Sequence, residues 1–359
     1  INIIKQRIAM KALKFLGESK IEVIEIPTPE IKEDEVLLEI QAAGLCGSDL
    51  HLFYRPSNSE KEAGIFGLKF PVENIPGHEP AGRVVKVGSH VSHLKVGDRV
   101  AVAHISGCGF CMICRQGWDM HCAQKRTYGG DMQGAYGEFM PARAKDCVIL
   151  PENISYTDGA FYTCGASTGY YAMQRAHLKG GETVVCVGLG PVGLAGAIFA
   201  KKLGATVIGV DLTNERCNFA KKHGVDYTIN AATEDVEKRV LEITHGKGSE
   251  VSVDFTGDPR GRITAIKTAG LWGRVVFIGF GEGMTTIDAE IDVIEKQLTI
   301  TGAWVFSFPE LQGLVEYASN NEIDLSNLTN SKSTIDKGPE TFSLFDQGSI
   351  GKSFIVPAN

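Results

Sequence analysis

The sequence predicts an α/β chain of two domains: a mostly β, barrel-like domain and one built on a doubly wound parallel sheet. Three observations carry that expectation. At 359 residues the chain is long enough for about two domains, each burying its own core. Residues 11–150 are rich in β-branched residues and short apolar runs punctuated by glycine. From about residue 165, apolar runs of strand length alternate with helical stretches, the rhythm of βαβ units.

In the first region, residues 36–42, 82–87 and 99–102 read as strands separated by Gly-Ser or Gly-Asp turns. Residues 57–64 are polar and turn-prone and read as an exposed loop. In the second region, 184–187, 206–210, 227–229, 251–255 and 274–278 read as buried parallel strands. Residues 191–203, 215–223, 234–244 and 259–269 read as the helices between them. From about Gly302 the character is mixed. The strand-like 353–356 is expected to return to the first domain, giving domains at 10–164 with 303–359 and at 165–302.

Composition narrows the function classes. A hydrophobic content of 43% with 22% charged residues suits a soluble globular enzyme, and a net charge of −7 without a basic stripe argues against nucleic acid. The first nine residues lack a signal-peptide core, and Met10-Lys-Ala-Leu-Lys reads as a native start, so 1–9 read as an appended segment. Residues 184–200 are almost unbroken apolar sequence, close to a membrane-spanning length. They hold four glycines and Pro191, which a strand, a glycine turn and a helix explain better, so no membrane span is expected. The expected location is the cytosol, where nine unpaired or metal-bound cysteines stay reduced.

Four cysteines, Cys108-x2-Cys111-x2-Cys114-x7-Cys122, carry the strongest local signal. Thiolates at two-residue gaps turn inward from one tight loop and meet a tetrahedral Zn²⁺ with all four positions filled, a structural site. The alternatives are reduced buried cysteines or, in a secreted chain, a disulfide framework.

A second signal is Gly188-Leu-Gly190-Pro191-Val192-Gly193, which follows the strand at 184–187 and opens a helix. In that context the glycines permit a tight turn, close approach of pyrophosphate, and close packing of helix on sheet. The helix N-terminus offers free N–H groups to the phosphates. Asp211 lies at the end of the next strand, where a carboxylate accepts hydrogen bonds from an adenosine ribose and repels a 2′-phosphate. That favours NAD over NADP, and Arg216 nearby blurs the preference. The alternative is an ordinary glycine turn with a solvated aspartate.

Three separated residues, Cys46, His78 and Cys164, are candidates for an open metal site. A catalytic Zn²⁺ needs three protein ligands and one vacant position, and Cys₂His is an accepted set. Spacing alone leaves this open, since a lone histidine is more often a core or surface residue.

The segments Gly44-Leu-Cys46-Gly-Ser48-Asp49-Leu-His51, Pro76-Gly-His78-Glu79, the four-cysteine run, Cys164-Gly-Ala-Ser-Thr-Gly and the glycine turn stand in an order that resembles the zinc-dependent medium-chain alcohol dehydrogenases. The resemblance runs from Met10 onward over nearly the whole chain. It implies a GroES-like β-barrel catalytic domain, a Rossmann NAD-binding domain and an active site in the cleft between them. It further implies that Cys46, His78 and Cys164 hold a catalytic zinc, with Glu79 as an alternate ligand and Asp49 hydrogen-bonded to the free nitrogen of His78. Two Zn²⁺ per chain, one catalytic and one structural, and NAD are the implied cofactors, and a homodimer or homotetramer paired through the Rossmann domains is the implied assembly.

The implied chemistry is reversible oxidation of a primary or secondary alcohol to an aldehyde or ketone. Zinc lowers the pKa of bound water from about 15.7 to about 7, worth about 12 kcal/mol. General-base help adds about 10²–10⁴-fold, so the metal is the larger effect. Ser48 would hydrogen-bond the reacting oxygen, and His51 would pass the proton to solvent through the cofactor ribose; the alternative for His51 is a plain surface histidine. Gly47 stands where some members carry a cation against the pyrophosphate, and Lys352 falls where others have arginine, so Lys352 is assigned that charge; its alternative is a surface lysine. The stretch between Cys46 and His78 is longer than in many relatives, so residues 53–70 are expected to reshape one rim of the cleft. His104 and Trp304 line the substrate pocket by position, or else pack the lobes. The segment 46–51 resembles polyol (sorbitol-like) and L-threonine 3-dehydrogenase branches, whereas 164–169 resembles the alcohol dehydrogenase branch, so the substrate stays open. From a different class, a non-catalytic NAD-binding protein on the same scaffold is the remaining alternative.

Overall fold

The structure, a computed structural model, describes residues 9–55, 62–63, 68–69, 73–281 and 283–358. It divides into two units, residues 1–164 with 307–359 and residues 165–306. Residues 303–306, expected with the barrel, therefore lie with the second unit. Ala9 is already part of the first strand, while residues 1–8 of the expected appended segment lie outside the described residues.

The first unit opens with an antiparallel hairpin, β1 (Ala9–Gly17) and β2 (Lys20–Pro27). β3 (Glu35–Gly44) follows, buried on both faces as a central strand is, and leads into the single turn α1 (Gly47–Asp49). β4 (Glu62–Ala63) and β5 (Leu68–Lys69) form a short pair. Thus Glu62 and Ala63 are strand, not the expected loop, and the rest of 57–64 lies outside the described residues. Of 53–70, the expected cleft rim, residues 56–61, 64–67 and 70 lie outside them too. Then come β6 (Pro80–Val87), β7 (Arg99–Val102), β8 (Ile105–Ser106), α2 (Met112–Arg115), β9 (Arg126–Thr127), β10 (Phe139–Arg143), β11 (Cys147–Ile149) and α3 (Tyr156–Tyr162).

The second unit begins with α4 (Gly165–Arg175) and then alternates strand and helix as far as its fifth strand. Its order is β12 (Thr183–Val187), α5 (Pro191–Lys202), β13 (Thr206–Asp211), α6 (Asn214–Lys222), β14 (Tyr227–Asn230), α7 (Val236–Ile243), β15 (Ser249–Asp254), α8 (Pro259–Thr268), β16 (Ala269–Phe277) and β17 (Thr299–Gly302). Six parallel strands stand in the order β14-β13-β12-β15-β16-β17. That is the doubly wound order whose crevice beside the first strand accepts a dinucleotide. The four expected helices and five expected strands all form, with ends shifted by a few residues. The apolar run 184–200 resolves into β12, a turn and α5, and among the described residues no helix is long and apolar enough to cross a membrane. Val185, Ile208, Val210, Ile229 and Val275 centre the core between sheet and helices.

The chain returns to the first unit through α9 (Phe308–Asn320), β18 (Thr329–Ser333), α10 (Gly338–Asp346) and β19 (Lys352–Ile355). β19 inserts between β3 and β18, completing a sheet of order β11-β7-β6-β3-β19-β18 with β10 also paired to β3. Phe15, Leu38, Val84, Tyr136, Met140 and Phe342 pack its core, with Phe15 edge-on to both Tyr136 and Phe342.

Candidate metal and cofactor sites

The four-cysteine loop closes on itself. Cys111 Sγ lies 3.5 Å from Cys114 Sγ and 3.9 Å from Cys122 Sγ, and Cys108 Sγ lies 3.9 Å from Cys114 Sγ. Four sulfurs at about 2.3 Å from one zinc stand about 3.8 Å apart, so the donor set fits the ion. Backbone N–H groups of Cys108, Cys111, Cys114 and Gln124 point at the sulfurs at 3.3–3.5 Å, which favours thiolate. Backbone hydrogen bonds from Phe110 and Cys111 bring the Cys108 thiol down to about 6, while burial pushes Cys114 up to about 12. All nine cysteines are free, so the disulfide alternative is set aside.

A second group forms from three separate segments. Cys46 ends the loop after β3, His78 and Glu79 precede β6, and Cys164 follows α3. Their ligand atoms all lie within 4.8 Å of one another, so residues up to 118 positions apart share one small volume. Hydrogen bonding with Cys164 draws the Cys46 thiol well below its usual range despite burial, helped by His78 and Lys352. The same bond, with burial, pushes Cys164 up. Two thiols thus share one negative charge, and both ionise only beside a strong positive charge, which is what a divalent soft-ligand metal offers.

Asp49 organises this group from beneath. Fully buried, its Oδ1 lies 3.1 Å from His78 Nδ1, while Oδ2 accepts from Cys46 N at 2.9 Å and Tyr136 Oη at 2.6 Å. With Nδ1 engaged, Nε2 is the ring nitrogen left for a metal. Burial disfavours the His78 cation, yet the Asp49 carboxylate outweighs it and raises the pKa well above the ordinary value.

Behind the ligands lies an ion pair. Lys352 Nζ is 2.6 Å from Glu79 Oε2 and 2.7 Å from Oε1, and it also donates to Leu45 O at 2.7 Å. Both side chains are buried. Lys352 was expected to serve a pyrophosphate; its charge instead neutralises Glu79, and a side chain 2% exposed is no surface lysine either. Despite the short contact, Glu79 Oε2 has no well-angled hydrogen bond, the one such buried side-chain atom among the described residues. Burial raises the Glu79 carboxyl to about 7. A Cβ on Gly44 would stand 2.1 Å from Oε2, so glycine is needed there.

Ser48 is half-buried two residues past Cys46, and His51 is exposed on the wide turn Leu50–Tyr54. His104 is buried, with Nδ1 2.6 Å from Thr163 O and its ring 5.6 Å from that of His78. Burial brings it down to about 4, so it is neutral and Nδ1 is the donor. Trp304 is half-buried and belongs to the second unit, whereas His104 belongs to the first. Sequence reasoning missed Tyr136 and Gly44; no spacing ties Tyr136 to Asp49, 87 positions away.

In the second unit, Gly188 has φ +97° and Gly190 caps α5 with Pro191 as the first helical residue. A Cβ on Gly193 would sit 1.9 Å from Gly188 O, whereas one on Gly190 would meet no atom within 4 Å. The turn therefore leaves open space over an uncapped helix N-terminus, which suits a pyrophosphate. Val192 follows at the half-buried start of α5. Asp211 accepts from Leu189 N at 2.9 Å, Leu212 N at 2.8 Å and Thr213 N at 3.3 Å, with Arg216 Nη1 3.6 Å away.

Comparison with known proteins agrees with this geometry. Residues 32–152 match the alcohol dehydrogenase GroES-like domain, and residues 191–320 match the zinc-binding dehydrogenase domain. The zinc-type alcohol dehydrogenase-like protein YphC of Escherichia coli (strain K12), itself described as uncharacterized, is 35% identical over 96% of this chain and 98% of its own. Sorbitol dehydrogenase of Bacillus subtilis (strain 168) is 30% identical over 91% of each chain. The solved structure of alcohol dehydrogenase TADH from Thermus sp. ATN1 superposes with TM-score 0.88 at 26% identity, covering 97% of this chain and all of that one. A GroES-like barrel, a Rossmann sheet, two zinc-competent donor sets and a dinucleotide turn thus accompany identity along the whole length: the chain belongs to the zinc-dependent medium-chain alcohol dehydrogenase family and is an NAD(P)-linked oxidoreductase.

Proposed function

We propose that the protein catalyses reversible, NAD-linked oxidation of a small primary or secondary alcohol to the aldehyde or ketone, with Cys46, His78 and Cys164 as ligands of a catalytic zinc. What carries this reading is the convergence of those three residues and Glu79 within 4.8 Å, two sulfurs and an imidazole beside a buried carboxylate that Lys352 neutralises. Zinc held there supplies the Lewis acidity that makes an alcohol proton removable near neutral pH. Ser48 Oγ would accept a hydrogen bond from the alcohol O–H and give up its own hydroxyl proton as it takes the alcohol's, and the exposed imidazole of His51 would pass that proton on to water through the cofactor ribose. Asp49 keeps the His78 proton on Nδ1. Cys108, Cys111, Cys114 and Cys122 hold the structural zinc. The glycine turn cradles the pyrophosphate, and Asp211 disfavours a 2′-phosphate although Arg216 offsets part of its charge.

A polyol or 3-hydroxy amino acid substrate is the second reading, favoured by the sorbitol dehydrogenase relative. The edge strand β17, with exposed Leu271, Trp272, Ile291 and Ile294 in the same unit, supports a homodimer or homotetramer. A cytoplasmic location suits nine cysteines with no disulfide among them, six of them assigned here to zinc.

The test combines metal analysis with a substrate panel. Two zinc per chain are expected in the native protein and one in Cys46→Ser, with turnover lost. Full activity after complete chelation would end the zinc reading. Aliphatic alcohols, sorbitol-like polyols and threonine, each with NAD and NADP, separate the two substrate readings, and equal efficiency with both cofactors would remove the role given to Asp211.

A further inference from the structure

The four-cysteine loop is held to the rest of the first unit by Arg143 Nη1 to Gly107 O at 3.2 Å, by Lys145 Nζ to Asp119 Oδ1 at 3.0 Å, and by two further ties that both lead to the residue before Cys164. At its stem, His104 immediately precedes β8, and Nδ1 donates to Thr163 O at 2.6 Å. His104 O in turn accepts from Tyr128 N at 3.0 Å, just past β9, so the two ends of the loop are tied across the same residue. At the tip, Gly117 N donates to Cys114 O at 2.8 Å, and Gly117 O accepts from Phe308 N at 3.3 Å. Gly117 has φ +85°, and a Cβ there would lie 2.6 Å from Pro309 Cδ and 2.7 Å from Cγ. Only glycine lets the Pro309 ring seat on the loop.

Phe308 and Pro309 open α9, whose start is fixed by a reciprocal cap between Ser307 and Glu310. α9 packs along α3, and the contact is tied by Tyr162 Oη to Ile323 O at 3.4 Å and Asn153 Nδ2 to Ser319 O at 2.9 Å. α3 ends at Tyr162, capped by Thr163, and Cys164 follows. The path from Cys114 through Gly117, α9, α3, Thr163 and His104 back to Cys108 is therefore closed.

We propose that the structural-zinc loop is a splint for Cys164: held shut by its four sulfurs, it grips α3 between His104 and α9 and so sets where the Cys164 sulfur stands. Gly117 and His104 act as positioning residues in this scheme. The inference rests on Cys164 being a ligand of the catalytic set.

The experiment compares two glycines of the same loop. Gly117 and Gly109 share φ +85°, but a Cβ on Gly109 meets only Lys145 at ordinary distances of 3.6 and 3.7 Å. Alanine at either position carries the same backbone strain, and only Gly117→Ala disturbs α9. Zinc-loaded full-length protein is challenged with the chelator 4-(2-pyridylazo)resorcinol, and amide hydrogen exchange is followed over α3 and α9. Two release phases are expected from the native protein, and the one missing in Cys46→Ser belongs to the catalytic set. Gly117→Ala should speed that phase by about tenfold, the scale of losing an outer support of a metal ligand, and quicken exchange in both helices. Gly109→Ala should leave both unchanged. Pro309→Ala, which keeps the glycine and removes the ring, should move the same phase in the same direction by less. Equal acceleration by both glycine variants, or faster exchange confined to α9, would overturn the splint. A single release phase from the native protein would instead remove the assignment of Cys164 as a ligand, and the splint with it.

Discussion

Asp49→Asn is nearly isosteric, so its effect isolates hydrogen-bond polarity beneath His78. In the native protein Oδ2 faces two donors, Cys46 N–H and Tyr136 O–H, and Oδ1 faces His78 Nδ1. Asparagine has one acceptor and one donor end. Turning its oxygen toward His78 would aim the amide at Cys46 N–H, forfeiting that hydrogen bond, and would push the Tyr136 hydroxyl to donate to Gly44 O instead. The favoured orientation keeps the oxygen on Cys46 and Tyr136 and points Nδ2–H₂ at His78 Nδ1. The ring can then accept only by moving its proton to Nε2, the nitrogen that a metal needs bare. Loss of such an outer partner weakens metal binding by about 10–100-fold, or about 1.4–2.7 kcal/mol. The assay is chelator competition on the full-length protein, with the four-cysteine zinc as internal reference. One zinc should be lost more readily by that factor while the other is unaffected. Tyr136→Phe, which removes one donor and leaves the Asp49–His78 contact, should do less. Two zinc ions held as tightly as in the native protein would refute the tautomer argument.

Two further outcomes are expected. Gly190→Ala should fold with native stability yet lose NADH binding, because its new methyl meets no protein atom and fills the space left for pyrophosphate. Gly193→Ala should lose at least about 2 kcal/mol of stability, since its methyl would stand 1.9 Å from Gly188 O. Thermal melts and NADH fluorescence titration separate the two, and native NADH affinity in Gly190→Ala would refute the placement. Burial raises the Asp158 carboxyl from 3.8 to about 6, so the folded chain holds this proton more tightly than the unfolded chain does. Stability from that group is full below about pH 4 and is lost as the pH rises through about 6, a change of about 3 kcal/mol at most. Asp158→Asn should therefore gain on the native protein at pH 8 and match it near pH 4. Urea titrations at the two pH values showing no such difference would contradict it.

What was legible in the sequence was what is local. The glycine turn works through six consecutive residues, and the four-cysteine loop through fifteen, so spacing alone conveys their geometry. The parallel sheet was readable because each strand is a short apolar run between helices, except β17: Thr299–Gly302 is an edge strand with polar alternation and too little burial to stand out. Cys46, His78, Glu79 and Cys164 could be proposed only segment by segment, because nothing in their spacing says that three loops meet. Lys352 shows the limit. Its residue type speaks for the surface, and only a sheet in which β19 lies beside β3 turns it inward onto Glu79. His104 was expected to line a pocket, and its hydrogen bond to Thr163 O could not be foreseen without the position of α3.

The pairing of Lys352 with Glu79 spans 273 positions, and the entire Rossmann unit is synthesised between them. A nascent chain thus exposes the carboxylate long before its counter-charge leaves the ribosome, and β3 waits as long for β19. The barrel's sheet therefore cannot be completed until the chain beyond the Rossmann unit has been made. Ribosome-bound intermediates should accordingly capture zinc in the compact cysteine loop early and in the dispersed set only after the final strand has threaded home.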